Sequence, residues 1–286
     1  MNVSFCTISF RHHLCSIFDL AKWGKENRFK GIELWGIHAE YLAADPSFDF
    51  DFFQSFGLRI SMISSYIPLQ AARCELEETI QVLTKLCQRF NTKKLRIFAG
   101  QKGSMHTDEQ ERREIAASIR MLAQYVHERG IELLVETHPH TLADNVPSTI
   151  RLIEEVNHPA LKINFDVLHV WESGADPIEA IWKLRPVIAH FHLKNVASKD
   201  RLPVFEPANV YAPTGTRKGM VPLFEGVINY GRILSELITF PKDIDASLEW
   251  FGSNVKEVLE SDSQQISQEL ERLRMWDVAT CEGVLF

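Results

Sequence analysis

Eight short apolar runs alternate with longer stretches of helical period along this chain. The runs lie at 3–8, 31–35, 59–63, 94–98, 132–136, 161–166, 187–193 and 246–249. Strands separated by helical segments build parallel βα units. Eight such units in 286 residues predict an α/β fold, a (β/α)8 TIM barrel spanning 1–286 as a single domain. The clearest helix is 108–129, where Ile115, Ile119, Leu122 and Val126 share one face of a 3.6-residue period. Thr107 is its expected N-cap and Gly130 its C′ residue. Segments 75–90, 146–156 and 254–276 read as helices too, with Val255, Leu259, Ile266, Leu270 and Leu273 along one side of the last. The stretch 195–228 is rich in Pro, Gly and Asn and has no period. Its Phe205, Tyr211, Met220 and Phe224 predict an ordered covering segment, since a loop that long in a compact domain is usually functional or disordered. There is no internal repeat and no low-complexity linker, and the tail 277–286 reads as peripheral.

The strands agree on a phase. Side chains alternate faces along a strand. His190, His192 and Lys194 share one face, with Phe191 and Leu193 opposite. Lys162, Asn164 and Asp166 oppose Leu161, Ile163 and Phe165. Leu134 and Glu136 oppose Leu133 and Val135; Ser247 and Glu249 oppose Leu248; Glu33 opposes Ile32 and Leu34. The purely apolar face must meet the helices, so the polar face points into the barrel.

That phase places Glu136, Asp166, His192 and Glu249 inside, each at the end of its run. The C-terminal strand ends of such a barrel converge on one mouth. Buried charges there are costly unless compensated, and one shared divalent cation compensates all four. Carboxylates with one imidazole suit Mn²⁺ best, with Mg²⁺ or Co²⁺ as alternatives; Zn²⁺ favours richer Cys or His sets. The competing account is a set of internal ion pairs, such as Glu136 with Lys162.

Further groups flank this set. His138 lies two residues past Glu136 and is a candidate general base, or a plain loop histidine. His169 follows Asp166 by three and is a second base candidate or a partner of the ligands. Lys194 either neutralises the carboxylates or stabilises a substrate oxyanion. Arg96, inward in KLRIF, can grip a substrate carboxylate or pair with Glu33 or Glu136. His106, His127 and His158 read as solvated.

The formal net charge of −7 argues against a nucleic-acid surface, which needs a basic stripe. No run of about 20 apolar residues marks a membrane span. Five cysteines without a CxxC pair read as reduced thiols. The N-terminus lacks a signal-peptide pattern. A cytoplasmic enzyme is therefore expected, with a small anionic molecule as its partner and no indication of its oligomeric state.

The Glu, Asp, His, Glu set resembles that of the xylose-isomerase-like TIM barrels. Longer segments narrow the resemblance: CTISFRH (6–12), GIELWG (31–36), FAGQKGS (98–104), ETHPHTLADNVPST (136–149), LKINFDVLHVWESGADP (161–177), VFEPANVYAPTGTRKGMVPLFEG (204–226) and SLEWFG (247–252). Together they are similar to the metal-dependent 3-dehydroshikimate dehydratases of petrobactin-type siderophore pathways, from about residue 3 to 252. The chain departs from that family's pattern at 37–57 and after 255. The resemblance implies Glu136, Asp166, His192 and Glu249 as metal ligands and active-site roles for His138, His169, Lys194, Arg96 and Tyr66. It also implies 204–226 as a substrate-covering loop, with Glu206 and Arg217 as contacts.

The implied reaction converts 3-dehydroshikimate to protocatechuate and water. A cation as Lewis acid, His138 or His169 as base and Lys194 beside the developing enolate would suffice for it. Two other functions remain open on the same residues. A sugar or inositol isomerase or epimerase would keep the substrate hydroxyls. A metabolite-binding protein with a vestigial site would bind without metal.

Overall fold

The structure, a computed structural model, describes residues 1–282. Its strands in chain order are β1 (Asn2–Cys6), β2 (Gly31–Trp35), β3 (Arg59–Ser64), β4 (Lys94–Ile97), β5 (Glu132–Glu136), β6 (Leu161–Asp166), β7 (Ile188–Leu193), β8 (Asn195–Val196), β9 (Met220–Val221) and β10 (Asp245–Leu248). Eight of them pair in parallel in the order β1-β10-β7-β6-β5-β4-β3-β2 and close into a barrel; β8 and β9 form a separate antiparallel pair. The alternation of apolar runs and helical periods therefore does build the expected (β/α)8 architecture, with strand ends within about two residues of the sequence reading.

The outward strand faces carry the main core. Phe5, Ile32, Ile63, Leu95, Leu133, Val135, Ile163, Phe165, Phe191 and Leu248 are buried beneath the helix ring. The helix Glu109–His127 shows how the ring is fitted. Its Ile115, Ile119, Leu122 and Val126 are buried as one stripe. Its N-cap is Asp108, not Thr107: Asp108 Oδ1 accepts from the backbone of Gln110 and Glu111 at 2.9 Å each, while the Thr107 hydroxyl donates to the Gly103 carbonyl. A carboxylate both satisfies free N–H groups and complements the positive end of the helix dipole. Gly130 has φ +69°, a conformation that favours glycine.

The inward faces are polar, as the strand phase predicts. Two register shifts support this. Between β2 and β3, Glu33 lies opposite Met62, one residue on from the register of Ile32 with Ile60. Between β6 and β7, Asn164 lies opposite His190 after Ile163 pairs with Ile188. Such bulges re-aim side chains. At the floor, Asp245 takes Lys94 Nζ at 2.9 Å and also pairs with Arg59. The mouth at the opposite end carries Glu136, Asp166, His192 and the residues just beyond them.

The segment 195–228 is ordered. It holds β8, a 3-10 turn at Lys199–Phe205, a short helix Pro207–Val210 and β9. The terminal helix Val255–Glu282 runs six residues past the expected 276, so most of the supposed peripheral tail is helical; 283–286 lies outside the described residues. No described helix is long and apolar enough to cross a membrane.

Candidate active site and metal centre

β5, β6 and β7 deliver Glu136, Asp166 and His192 to one point, and the residue after β10 delivers Glu249. His192 Nδ1 is the hub: it lies 3.5 Å from Glu136 Oε1, 3.7 Å from Glu249 Oε1 and 3.8 Å from Asp166 Oδ2. Glu136, Asp166 and His192 offer ligand atoms within 4.8 Å of one another. His192 Nδ1 is buried and without a hydrogen-bond partner among the described residues, and Asp166 Oδ2 beside it is met by the Lys194 ammonium at 2.6 Å. A buried polar atom is seldom left without a partner. Oxygen-rich donors converging on one imidazole fit a divalent cation.

Backbone chemistry fixes each donor. Asp166 caps the helix Val167–Glu172: its Oδ1 accepts from His169 N at 3.1 Å, which leaves Oδ2 turned to the centre. Thr137 Oγ1 accepts from Asp166 N at 2.8 Å, tying β5 to β6. Glu136 is held by Arg96 Nε at 2.9 Å and by the Asn164 amide at 3.2 Å. The alternative pairing of Glu136 with Lys162 does not occur, because Lys162 lies opposite Leu134 two residues further down the barrel. Arg96 does make the ion pair with Glu136 that the sequence left open, and it also faces the mouth, stacked 4.5 Å from the Phe98 ring.

The charges are strongly coupled. Burial favours a neutral Glu136, yet Arg96 and then His192 hold its carboxyl well below the usual range. Asp166 is lowered likewise by Lys194 and His169 against the cost of burial. Burial disfavours a charged His192, but Glu33 first, then Glu249 and Glu136, push its pKa well above the usual value. Lys194 Nζ lies 2.6 Å from Asp166 Oδ2 and 2.7 Å from Glu249 Oε2; those carboxylates outweigh burial and keep it an ammonium. Its backbone is clamped by the Tyr230 hydroxyl, which donates to Lys194 O at 2.8 Å.

Above the donors opens a cavity of about 410 Å³. Arg96, Glu136, His138, His169, Lys194, Glu249 and Tyr66 all line it. His138 is neutral, and its tautomer is fixed. Its Nδ1 lies 2.8 Å from the Pro139 carbonyl, which can only accept, so Nδ1 carries the hydrogen and Nε2 is bare. Burial, then the neighbouring His169, lower its pKa to about 3. The two rings lie 4.4 Å apart. His169 Nδ1 lies 2.8 Å from Glu172 Oε2, which places a hydrogen on Nδ1. Tyr66 meets Tyr211 of the covering segment, hydroxyl to hydroxyl, at 2.5 Å.

The two expected contacts of the covering segment differ in place: Glu206 lines a small pocket beside His138 and His169. Arg217 spends its guanidinium on the carbonyls of Asn209, Ala212 and Thr216, bracing the segment from within, and it does not line the cavity. Glu206 is half-exposed, 3.8 Å from His140 at the rim. Neither lies on a regular strand, so no alternation could orient them. Conversely, Phe98, Gln101, His140 and Tyr211 line the cavity from loops. Phe98 shares the phase of Arg96 in the run 94–98, Tyr211 stands out as an aromatic ring in a polar stretch, and Gln101 and His140 fall within the segments 98–104 and 136–149 without any role read for them. Glu33, read as inward, proves to contact His192 directly at 2.9 Å.

Comparisons with known proteins agree with this geometry. The family model described as xylose isomerase-like TIM barrel matches residues 22–276. The chain is 46% identical over 276 residues, 93% of its length and 97% of the relative's, to a 3-dehydroshikimate dehydratase of Bacillus anthracis. It superposes with a TM-score of 0.89 on the crystal structure of the probable 3-DHS dehydratase AsbF from that organism, described as involved in petrobactin synthesis, at 47% identity and covering 93% of this chain and 99% of that one. A more distant likeness, 24% over 117 residues and covering 41% of this chain and 39% of the relative, links it to an inosose dehydratase of Clostridium perfringens. The closed parallel barrel, the converging donors and the family match over most of the chain establish that this protein belongs to the xylose isomerase-like TIM barrel family.

Proposed function

We propose that the protein is a metal-dependent 3-dehydroshikimate dehydratase, a lyase that forms protocatechuate and water and supplies it to catecholate siderophore assembly. The observation that carries this reading is the 46% identity over 93% of the chain to a dehydratase of that name. The cavity chemistry supports it. A ring-sized space is bordered by Arg96 and Lys194, both cationic, which suits a cyclic carboxylate. Glu136, Asp166, His192 and Glu249 would hold the cation, Mn²⁺ in this reading, and the same oxygen-rich set also suits Mg²⁺ or Co²⁺.

The substrate carries a ketone, a hydroxyl on the adjacent carbon and a second hydroxyl one carbon further. The bound cation supplies Lewis acidity, which lowers the pKa of the proton next to the ketone. His138 Nε2 takes that proton, and its Nδ1–H stays bonded to the Pro139 carbonyl throughout. Lys194 stabilises the negative charge left on the enolate oxygen. As the enolate collapses, the β C–O bond breaks and the His138 imidazolium returns its proton to the departing oxygen, giving water. A proton from the remaining ring methylene is then lost and the ketone oxygen gains one, which makes the ring aromatic. Arg96, with Tyr66 and Tyr211 above it, orients the substrate carboxylate.

The test is direct. Protein stripped with a chelator is mixed with 3-dehydroshikimate, with and without added Mn²⁺, and protocatechuate absorbance is followed. Product only in the presence of metal is the expected outcome. A folded, metal-loaded protein that yields no product overturns the dehydratase reading and favours an isomerase acting on ketoses or inososes.

A further inference from the structure

Beneath the donor set lies a carboxylate that the proposed chemistry does not use. Glu33 is fully buried inside the barrel. Both its oxygens face His192 Nε2, at 3.1 and 2.9 Å. The Ser64 hydroxyl donates to Glu33 Oε1, and His190 Nε2 lies 3.5 Å from Oε2. At the other end of the same imidazole, Nδ1 has no partner and faces the oxygens of Glu136, Glu249 and Asp166.

We infer that Glu33 is a positioning residue that sets the tautomer and ring orientation of His192 and so tunes how tightly the cation is held. An imidazole nitrogen that carries hydrogen cannot donate a lone pair to a metal. A carboxylate can only accept, so Glu33 keeps the hydrogen on Nε2, and Nδ1 is the nitrogen that sheds its hydrogen and turns a lone pair to the cation. The β2–β3 register shift falls between Ile32 and Glu33, which is where the backbone must turn to aim this side chain inward. Ser64, one strand over, locks the carboxylate in place. The role rests on the metal-centre reading above. A Glu33 that only fills space would leave metal affinity untouched.

The experiment uses Co²⁺ alone, whose visible absorption reports the number and kind of its ligands. Wild-type protein and the near-isosteric Glu33→Gln variant are stripped, titrated with Co²⁺ against a competing chelator, and compared for thermal unfolding in the stripped state. In the variant, an amide NH₂ can sit where Oε2 was and donate to Nε2, moving the imidazole hydrogen to Nδ1. The expected result is roughly 10- to 100-fold weaker Co²⁺ binding with a changed visible spectrum. Wild-type affinity and spectrum in a folded variant overturn the inference and leave the metal centre standing. Absence of Co²⁺ binding by the wild type removes the centre and this role with it. Should the variant not fold, long-range ¹⁵N–¹H NMR of the Mg²⁺-loaded wild type decides: hydrogen on His192 Nε2 is expected, and hydrogen on Nδ1 overturns the assignment.

Discussion

His138 owes its neutral form and its tautomer to two neighbours that a single substitution leaves in place. The Pro139 carbonyl holds its hydrogen on Nδ1, and burial beside His169 keeps the ring neutral, with a pKa of about 3. The imidazole is thus already in its proton-accepting form across the whole physiological range. Replacing it with alanine removes the base without removing a proposed ligand. His138→Ala should therefore lower kcat by about 10²–10⁴-fold, with Mn²⁺ affinity nearly unchanged. His169 also carries a hydrogen on Nδ1 and lines the same cavity, so His169→Ala is the decisive comparison. Near-wild-type turnover in His138→Ala together with its loss in His169→Ala would reverse the two roles. At this scale the sequence carried much of the site, because alternation along regular strands phases Glu136, Asp166, His192 and Lys194 without any structure. It could not pair Glu33 with His192, since the two are 159 positions apart and only barrel closure brings them together. It could not orient Glu206 or Arg217, because an irregular segment has no period to read.

The covering segment shows how elements that lack period are nevertheless held. Asn195 donates to the carbonyls of Leu223 and Ile228 at 2.7 and 2.9 Å, closing the base of the loop. Gly226 packs against that carboxamide so closely that any Cβ would overlap it. Arg11 Nε reaches the Val210 carbonyl at 2.8 Å, fastening the other end to the turn after β1. The terminal helix adds Asp262, whose Oδ1 accepts from Leu223 N at 3.0 Å. Burial pushes the Asp262 pKa up to about 7, with the Leu223 contact opposing and Glu225 reinforcing the rise. A carboxyl with a raised folded pKa binds its proton more tightly in the folded state. Its stabilising contribution is full below the unfolded value of about 4, and it is lost as pH rises through about 7. Asp262→Asn keeps an oxygen for Leu223 and removes the buried charge. The variant should gain on the order of 2 kcal/mol over wild type at pH 8 and about a quarter of that at pH 4.5, read by urea unfolding at the two pH values. An equal change at both would show that the carboxylate is not the strained group. The helix and strand boundaries were legible because apolar period marks them; this loop's internal bonds were not, since Asn195, Arg11 and Asp262 act through backbone partners that no pattern announces.

For the whole molecule, the question is whether the metal is part of the fold or only of the chemistry. The barrel closes through eight parallel pairings, and one continuous apolar cluster extends from Val3 to Leu270 around it. Neither depends on the donors at the mouth. In the metal-free state those donors are already partly compensated: Arg96 meets Glu136, Lys194 meets Asp166 and Glu249, and Glu33 meets His192. The mouth therefore carries its own counter-charges, and the stripped protein should stay folded. A cation that binds only the folded chain still adds stability by mass action. At a free concentration about 100 times its Kd the gain is about 2.7 kcal/mol. For a domain of this size about 2 °C accompanies each kcal/mol, so Mn²⁺ should raise Tm by roughly 5 °C over the chelated protein. Far-UV circular dichroism at 25 °C should be the same in both. Unfolding at 25 °C on chelation would instead make the cation a structural element, because the ion pairs at the mouth would then have failed to hold the strand ends together without it.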